Sequence, residues 1–346
     1  MCWHQGNWLF YLFYRSWQRK ALNCARTIMR ETRIDIIHQL NMVGFREPGF
    51  LWKIDSVPFV WGPVGGMEMM PMQFISDAGL EDRFFSFVKN GINRLQRKYS
   101  PRVRMAMKRA DALISATKGC DDFIRSYYLK DTVLINETGC NAIAVDHVFA
   151  DDDILDILWV GKFQFRKQLG LAIDSVAAVP EHLRKRIRLH VIGTGTPSEI
   201  EGYGDYSRNR GVDSIVVWHG VIPNEEVQEL MRKSDLFLFT SIMEATSTVV
   251  IEAIGNGLPV LCFDTCGFGA VVDESVGMKI PVTVRDEAVS GFAGKIEYAL
   301  MHPESLRQMS DGCKLKIEKL SWEWKTLETV RIYEKCLKND KELLQD

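Results

Sequence analysis

The chain has 346 residues, 46% of them hydrophobic and 25% charged, which is long enough for two domains with separate cores and ordinary for a soluble globular protein. A formal net charge of -2 gives no reason to expect nucleic acid as a partner. Eight scattered cysteines without a Cys-x-x-Cys pair and seven dispersed histidines speak against a disulfide framework or a zinc site, and no apolar run approaches the roughly 18 residues of a membrane span.

In chain order, the first apolar stretch runs from Trp8 to Tyr14 and is followed by Arg15, Arg19 and Lys20. A signal peptide places its charges ahead of the apolar part. We expect a core helix, with the helical pattern over 14–32, in preference to a membrane-surface helix with snorkelling basic side chains. Strands are expected over 34–38, 57–61, 112–115 and 132–135, and helices over 83–109 and 119–128. The acidic run Asp151, Asp152, Asp153 marks a linker.

Beyond it, apolar runs at 154–160, 187–192, 214–218, 236–240, 260–263 and 278–282 read as strands. Helical patterns lie between most of them, among them 168–179, 224–233 and 247–255, and a last amphipathic helix over 322–337 follows a cap at Ser321. Strands alternating with helices imply a parallel, doubly wound sheet. No internal repeat or low-complexity tract is present.

The densest chemistry lies in 241–260. Small hydroxyl residues Thr246, Ser247 and Thr248 open a helix after an apolar strand, and Glu244 and Glu252 are separated by seven residues. A strand-loop-helix with a small, polar first turn leaves backbone N–H groups free for an anion, aided by the helix dipole. Eight residues along a helix rise about 12 Å. That is too far for the two carboxyls of a retaining glycosidase, about 5 Å apart, so two separate ligand contacts are expected. The bland alternative has Glu244 capping the helix and Glu252 on a solvated face.

With its surroundings, this stretch resembles the Glu-x7-Glu motif of family 4 glycosyltransferases. Val-Gly-Lys-Phe-Gln-Phe-Arg-Lys-Gln at 160–168 is similar to the family's Val-Gly-Arg…Lys-Gly, with Lys162 for the arginine, Lys167 for the lysine and Gln168 for the glycine. The strand ending at Gly193 and Gly195 is similar to the family's Gly-x-Gly, and Ser198 in the last glycine position argues against a nicotinamide fingerprint. The segment 217–226, containing Val221, is similar to the segment lining the family's nucleotide-base pocket; His219 is either a ligand contact or a satisfied strand-end histidine. Asp264–Glu274, with Gly267 and Gly269, corresponds to the Gly-Gly-x-x-Glu segment, and the Trp322 helix to a terminal helix that crosses back to the first domain. In the first half, the segment from His38 and the loop Gly62, Pro63, Val64, Gly65, Gly66 resemble the acceptor side of a subgroup of the family.

The resemblance implies an α/β fold of two Rossmann-like, doubly wound parallel-sheet domains facing a cleft (GT-B). They would comprise an acceptor-side domain over 1–150, a nucleotide-sugar domain over 151–320 and the helix over 321–346. The family's opening strand-loop-helix has no counterpart here, so the first domain is expected to be incomplete. The implied reaction is retaining transfer from a nucleotide-diphosphate sugar to a saccharide or lipid-linked acceptor, in cell-surface polysaccharide synthesis. Lys162, Lys167 and Glu244 would be catalytic. Gly161, Gly193, Gly195, Val221, Ser247, Thr248 and Glu252 would hold the donor, and His38, Gly62, Gly65 and Gly66 would lie on the acceptor side. No metal or other cofactor is expected. The implied location is cytoplasmic, at the inner face of the membrane, and the aromatic and basic stretches 8–20 and 89–108 are compatible with peripheral contact. The alternatives are a non-catalytic or truncated nucleotide-sugar-binding protein and a sugar-nucleotide epimerase.

Overall fold

A computed structural model describes residues 9–40, 42–75, 79–141, 145–150 and 152–343. They fall into two compact units, one within Met1–Met69, Phe87–Glu137 and Thr326–Asp346, the other within Met70–Ser86 and Thr138–Lys325. The expected linker begins at Asp151, which lies outside the described residues, as does Trp8 at the head of the first apolar stretch.

The first half of the chain supplies α1 (Phe10–Glu31), β1 (Ile37–Gln39), β2 (Phe59–Val64), α2 (Met72–Ile75), α3 (Leu80–Tyr99), α4 (Pro101–Arg109), β3 (Ala112–Ser115), α5 (Lys118–Phe123) and β4 (Val133–Leu134). The four strands form one parallel sheet in the order β1-β2-β3-β4. α1 buries Phe10, Tyr14, Gln18 and Leu22, a stripe spaced by four, while Leu12, Phe13 and Trp17 stay exposed. The expected core role therefore holds for one stripe of this helix.

Two expectations are corrected here. The single helix over 83–109 is two, because Ser100 is extended and Pro101, lacking an N–H, takes the first position of α4. The second strand does not stop at Trp61. It continues through Gly62 and Pro63 to Val64, and a register shift against β3 between Trp61 and Val64 accommodates the proline.

The second half supplies β5 (Leu155–Val160), α6 (Leu169–Ala177), α7 (Glu181–Arg184), β6 (Ile187–Ile192), α8 (Pro197–Asn209), β7 (Val216–Gly220), α9 (Asn224–Lys233), β8 (Leu236–Phe239), α10 (Thr248–Gly255), β9 (Val260–Phe263), α11 (Cys266–Val271), β10 (Gly277–Ile280), α12 (Arg285–Met301), α13 (Pro303–Leu320) and α14 (Trp322–Leu343). The sheet is parallel throughout, in the order β10-β9-β8-β5-β6-β7. β8 and β9 bury every residue, as strands covered on both faces must, which is why they read as unbroken apolar runs. α6 packs on α12 and α10 on α13. Among the described residues no helix is long and apolar enough to cross a membrane.

β5 and β8 are locked at their starts by Asp235. Its Oδ2 accepts the Asp156 amide at 2.7 Å, and its own amide donates to the Asp156 carbonyl at 2.8 Å. Burial pushes the Asp235 carboxyl up to about 6 from an ordinary 3.8, against the pull of the Asp156 amide. The folded value lies above the unfolded one, so stability falls as pH rises through the window from about 4 to 6. Asp235→Asn keeps an acceptor for the amide and removes the charge. It should gain about 1–3 kcal/mol at pH 7 and flatten that slope, measured by urea melts at pH 4.5 and pH 7. An unchanged slope would show that Asp235 ionises normally.

Candidate functional site

In the second unit the chain starts mid-sheet at β5, moves out to β7, then returns to β8 on the other side of β5. The strand order reverses between β5 and β8, and a parallel sheet offers its ligand crevice at the carboxyl edge of such a reversal. The loops leaving β5 and β8 meet there. Thr240 Oγ1 lies 2.9 Å from the Lys167 carbonyl and 3.0 Å from that of Gln168, and accepts the indole N–H of Trp159 at 3.0 Å. The Ile242 amide and the Ser241 hydroxyl both donate to the Arg166 carbonyl, at 2.9 and 3.1 Å. This strapping turns Gln168 into the left-handed region, φ +54°, where glycine is at ease, and its side-chain amide donates to the Phe165 carbonyl at 2.7 Å.

The strap brings Arg166 and Lys167 onto one carboxylate. Both form ion pairs with Glu244 Oε1, which also lies 3.2 Å from Ser241 Oγ. The Lys167 and Glu244 side chains are 12% and 16% exposed. Burial lowers the Lys167 pKa, and the Glu244 carboxylate opposes that shift. The ammonium also sits over the Phe239 ring, 5.1 Å from its centre. Glu244 precedes α10, so it shares no helix with Glu252, and the helical rise expected between the two does not apply. Its amide donates to Cys266 Sγ at 3.5 Å.

α10 starts at Thr248, with Ser247 in the cap position making no side-chain cap bond and no acid in the first turn. Its first turn thus carries no carboxylate of its own. Glu252, one turn in, is half-buried; burial raises its pKa, and Gln228 Nε2 donates to Oε2 at 3.4 Å. Gln228 is in turn fixed by Asn256, whose Nδ2 donates to its Oε1 at 2.6 Å. Lys162 and Thr248 are exposed at the same strand edge, and Val221, after β7, is 75% exposed.

The glycines of this edge serve close packing of loops. A Cβ on Gly193, at φ +140°, would fall 1.7 Å from the Gly161 carbonyl oxygen. At Gly195 it would meet Glu199 and Phe163, and at Gly161 the Trp159 ring. Gly267 lets α11 close on the Thr246 side chain and donates its amide to the Ala245 carbonyl at 3.0 Å.

His219 resolves as a partnered histidine. Its Nε2 lies 2.9 Å from His190 Nδ1, whose Nε2 is 3.0 Å from Asp156 Oδ1, across three neighbouring strands. In the first unit, His38 is fully engaged: Nε2 donates to the Gly62 carbonyl at 2.8 Å, so Nδ1 accepts the Tyr333 hydroxyl at 2.6 Å. Burial lowers its pKa, which keeps this neutral tautomer in place. A Cβ on Gly62 or Gly65 would strike Ile114 or Val43, whereas Gly66, at φ +79°, faces open space with Arg46 Nη1 as the nearest atom. Sequence reasoning gave no role to Arg166, Gln228, Cys266 or Arg46. Arg166 alone carried a signal, as a second cation beside Lys167.

The strand orders and the reversal define an α/β fold of parallel, doubly wound sheets, and solved structures agree. The chain is similar to the lipopolysaccharide outer core galactosyltransferase WaaB in its apo form, at a TM-score of 0.64 and 17% identity, covering 92% of this chain and 80% of that one. It is also similar to Anabaena HepE in complex with UDP, at a TM-score of 0.62 and 13% identity, covering 92% and 82%. The fold is GT-B.

Residues 146–315 match the family described as Glycosyl transferases group 1, and that segment belongs to it. Curated relatives include the lipopolysaccharide glucosyltransferase WaaG of Escherichia coli (strain K12), 34% identical over 119 residues, which are 34% of this chain and 30% of that protein. The D-inositol 3-phosphate glycosyltransferase of Gordonia bronchialis is 25% identical over 173 residues, 48% of this chain and 37% of that protein. The chain thus spans about a third of the length of these relatives.

Removing the carboxylate that Arg166 and Lys167 share leaves two adjacent cations, so Glu244→Gln should cost about 1–3 kcal/mol of stability. Adding Lys167→Met should recover part of that loss, giving a coupling of at least about 0.5 kcal/mol in a double-mutant cycle from urea melts. Additive single effects would show that the pair contributes nothing to the fold.

Proposed function

We propose that the chain is a retaining glycosyltransferase moving a sugar from a nucleotide-diphosphate donor to a saccharide or lipid-linked acceptor, in the assembly of a cell-surface polysaccharide at the cytoplasmic membrane face. The observation that carries this reading is the Arg166–Glu244–Lys167 cluster at the strand reversal, beside the uncapped start of α10. Lys162, Arg166 and Lys167 against Glu244 make three positive charges to one negative, a net +2. That balances the two negative charges of a diphosphate diester, and the amides of the α10 first turn add donors.

In this scheme Lys162, Lys167 and the Ser247–Thr248 turn stabilise charge developing on the departing diphosphate. Glu252 accepts hydrogen bonds from the ribose hydroxyls, a role its Gln228 contact leaves open on Oε1. Glu244 holds the ends of Arg166 and Lys167 toward the phosphates and contacts the sugar. Gly161, Gly193 and Gly195 shape the floor of the donor site, and Val221 borders the base. The relatives' names, which include a lipopolysaccharide 1,6-galactosyltransferase of Salmonella typhimurium, support a polysaccharide context, and a neighbour holding UDP supports the donor class.

Thermal melts with UDP, GDP, ADP and their common sugars test the donor site. A nucleotide at a hundred times its Kd adds about 2.7 kcal/mol, a clear rise in Tm. Lys167→Ala and Glu252→Ala should each weaken donor binding by about 1–3 kcal/mol. Wild-type affinity and turnover in both variants would sink the assignment. Product analysis separates a new glycosidic bond from an epimerised nucleotide sugar.

A further inference from the structure

The first unit contains a cavity of about 360 Å³ walled by α1, α3, α4 and the loop leaving β1. That loop departs from the carboxyl edge of the unit's parallel sheet, the edge at which such sheets hold ligands. Three guanidinium groups converge on it, from Arg15 on α1, Arg46 in the loop and Arg102 in the first turn of α4. Glu47 offsets one of them. Arg15 donates to Glu47 Oε1 through Nη2 at 2.7 Å and Nε at 3.0 Å, and Arg102 through Nη2 at 2.9 Å to each oxygen. The Glu47 side chain is 3% exposed. Three arginines against one glutamate leave a net +2 in the walls.

Donor capacity in this cluster is left over. Arg102 Nη1 is buried with no hydrogen-bond partner. Arg46 is fixed by Gln96 Oε1 at 2.9 Å and Asn93 Oδ1 at 2.6 Å, through Nε and Nη2. Its Nη1 is the atom nearest the open Cβ position of Gly66, 3.9 Å away. The cavity also receives the start of α4, a nine-residue helix whose cap residue Ser100 makes no side-chain cap bond. Tyr11 and Ile92 supply apolar wall. A carboxylate that clamps two guanidinium planes sets their forks in advance, and preset forks with spare donors suit the several oxygens of a dianion.

We propose that this cavity is an acceptor subsite for a phosphate group, with Arg46 and Arg102 contacting the phosphate oxygens and Glu47 acting as a positioning residue for Arg15 and Arg102. The proposal rests on the glycosyltransferase reading and narrows its acceptor to a phosphate-bearing one, a lipid phosphate or a sugar phosphate.

Calorimetric titration of the full chain with methyl phosphate and with dodecyl phosphate tests it, alongside nucleotide melts on the same samples. Both probes should bind saturably, with affinity falling as salt rises. Arg46→Gln should weaken binding about tenfold, the scale of one lost charge-assisted contact. Ile92→Glu, made at a 48% exposed position, places a carboxylate in the cavity wall and should weaken binding at least as much. Nucleotide stabilisation should persist in both variants. Tighter binding of dodecyl phosphate would identify a lipid acceptor, and equal binding a soluble sugar phosphate. No binding, binding unchanged in both variants, or binding lost instead in Lys167→Ala would overturn the proposal. Nucleotide melts that show no shift, with phosphate binding intact, would count against the donor reading alone.

Discussion

The reversal of strand order between β5 and β8 is the constraint from which the donor-side geometry follows. Two loops must leave adjacent strand ends, and the buried hydroxyl of Thr240 ties them together by bridging Trp159 to the carbonyls of Lys167 and Gln168. Once the loops are tied, Gln168 has to turn left-handed, and Arg166 and Lys167 have to share Glu244. Helix α10, starting four residues after Glu244, then presents an uncapped amino end at the same edge.

The same electrostatic device occurs in each unit. Glu244 lies between Arg166 and Lys167, and Glu47 between Arg15 and Arg102, each at a carboxyl edge of a parallel sheet. A largely buried carboxylate between two cations is a poor way to gain stability, because desolvation offsets most of the attraction. It is a good way to hold cationic groups in a fixed direction with positive charge to spare. Each clamp leaves +1, Lys162 in the one place and Arg46 in the other raise it to +2, and the natural complement of that surplus is an anion.

How much of this was legible in the sequence varied with how locally each feature is determined. β8, β9 and α9 stand where their apolar runs and helix start placed them, because burial on both faces and the Pro223–Asn224 start leave a local trace. The break at Pro101 was legible in principle, and the basic run around it masked it. Strand β2 ran past its expected end because a register shift, invisible to a pattern of apolar residues, absorbs Pro63. At the site, Lys167 and Glu244 were found through a motif, but their contact depends on pairing across 77 residues, which no local signal encodes. Gly193 was expected near a ligand, and its tightest neighbour is the Gly161 carbonyl. The arginines of the first unit were silent, since Arg15, Arg46 and Arg102 come from three separate elements.

The most direct test of the central claim, that a nucleotide diphosphate sits between the loop after β5 and the start of α10, is hydrogen exchange with and without the nucleotide that stabilises the chain. Binding there should slow exchange at 161–168 and 244–252 and leave β10 and α13 unchanged. Protection confined to other segments, with those two exchanging as in the free protein, would contradict it.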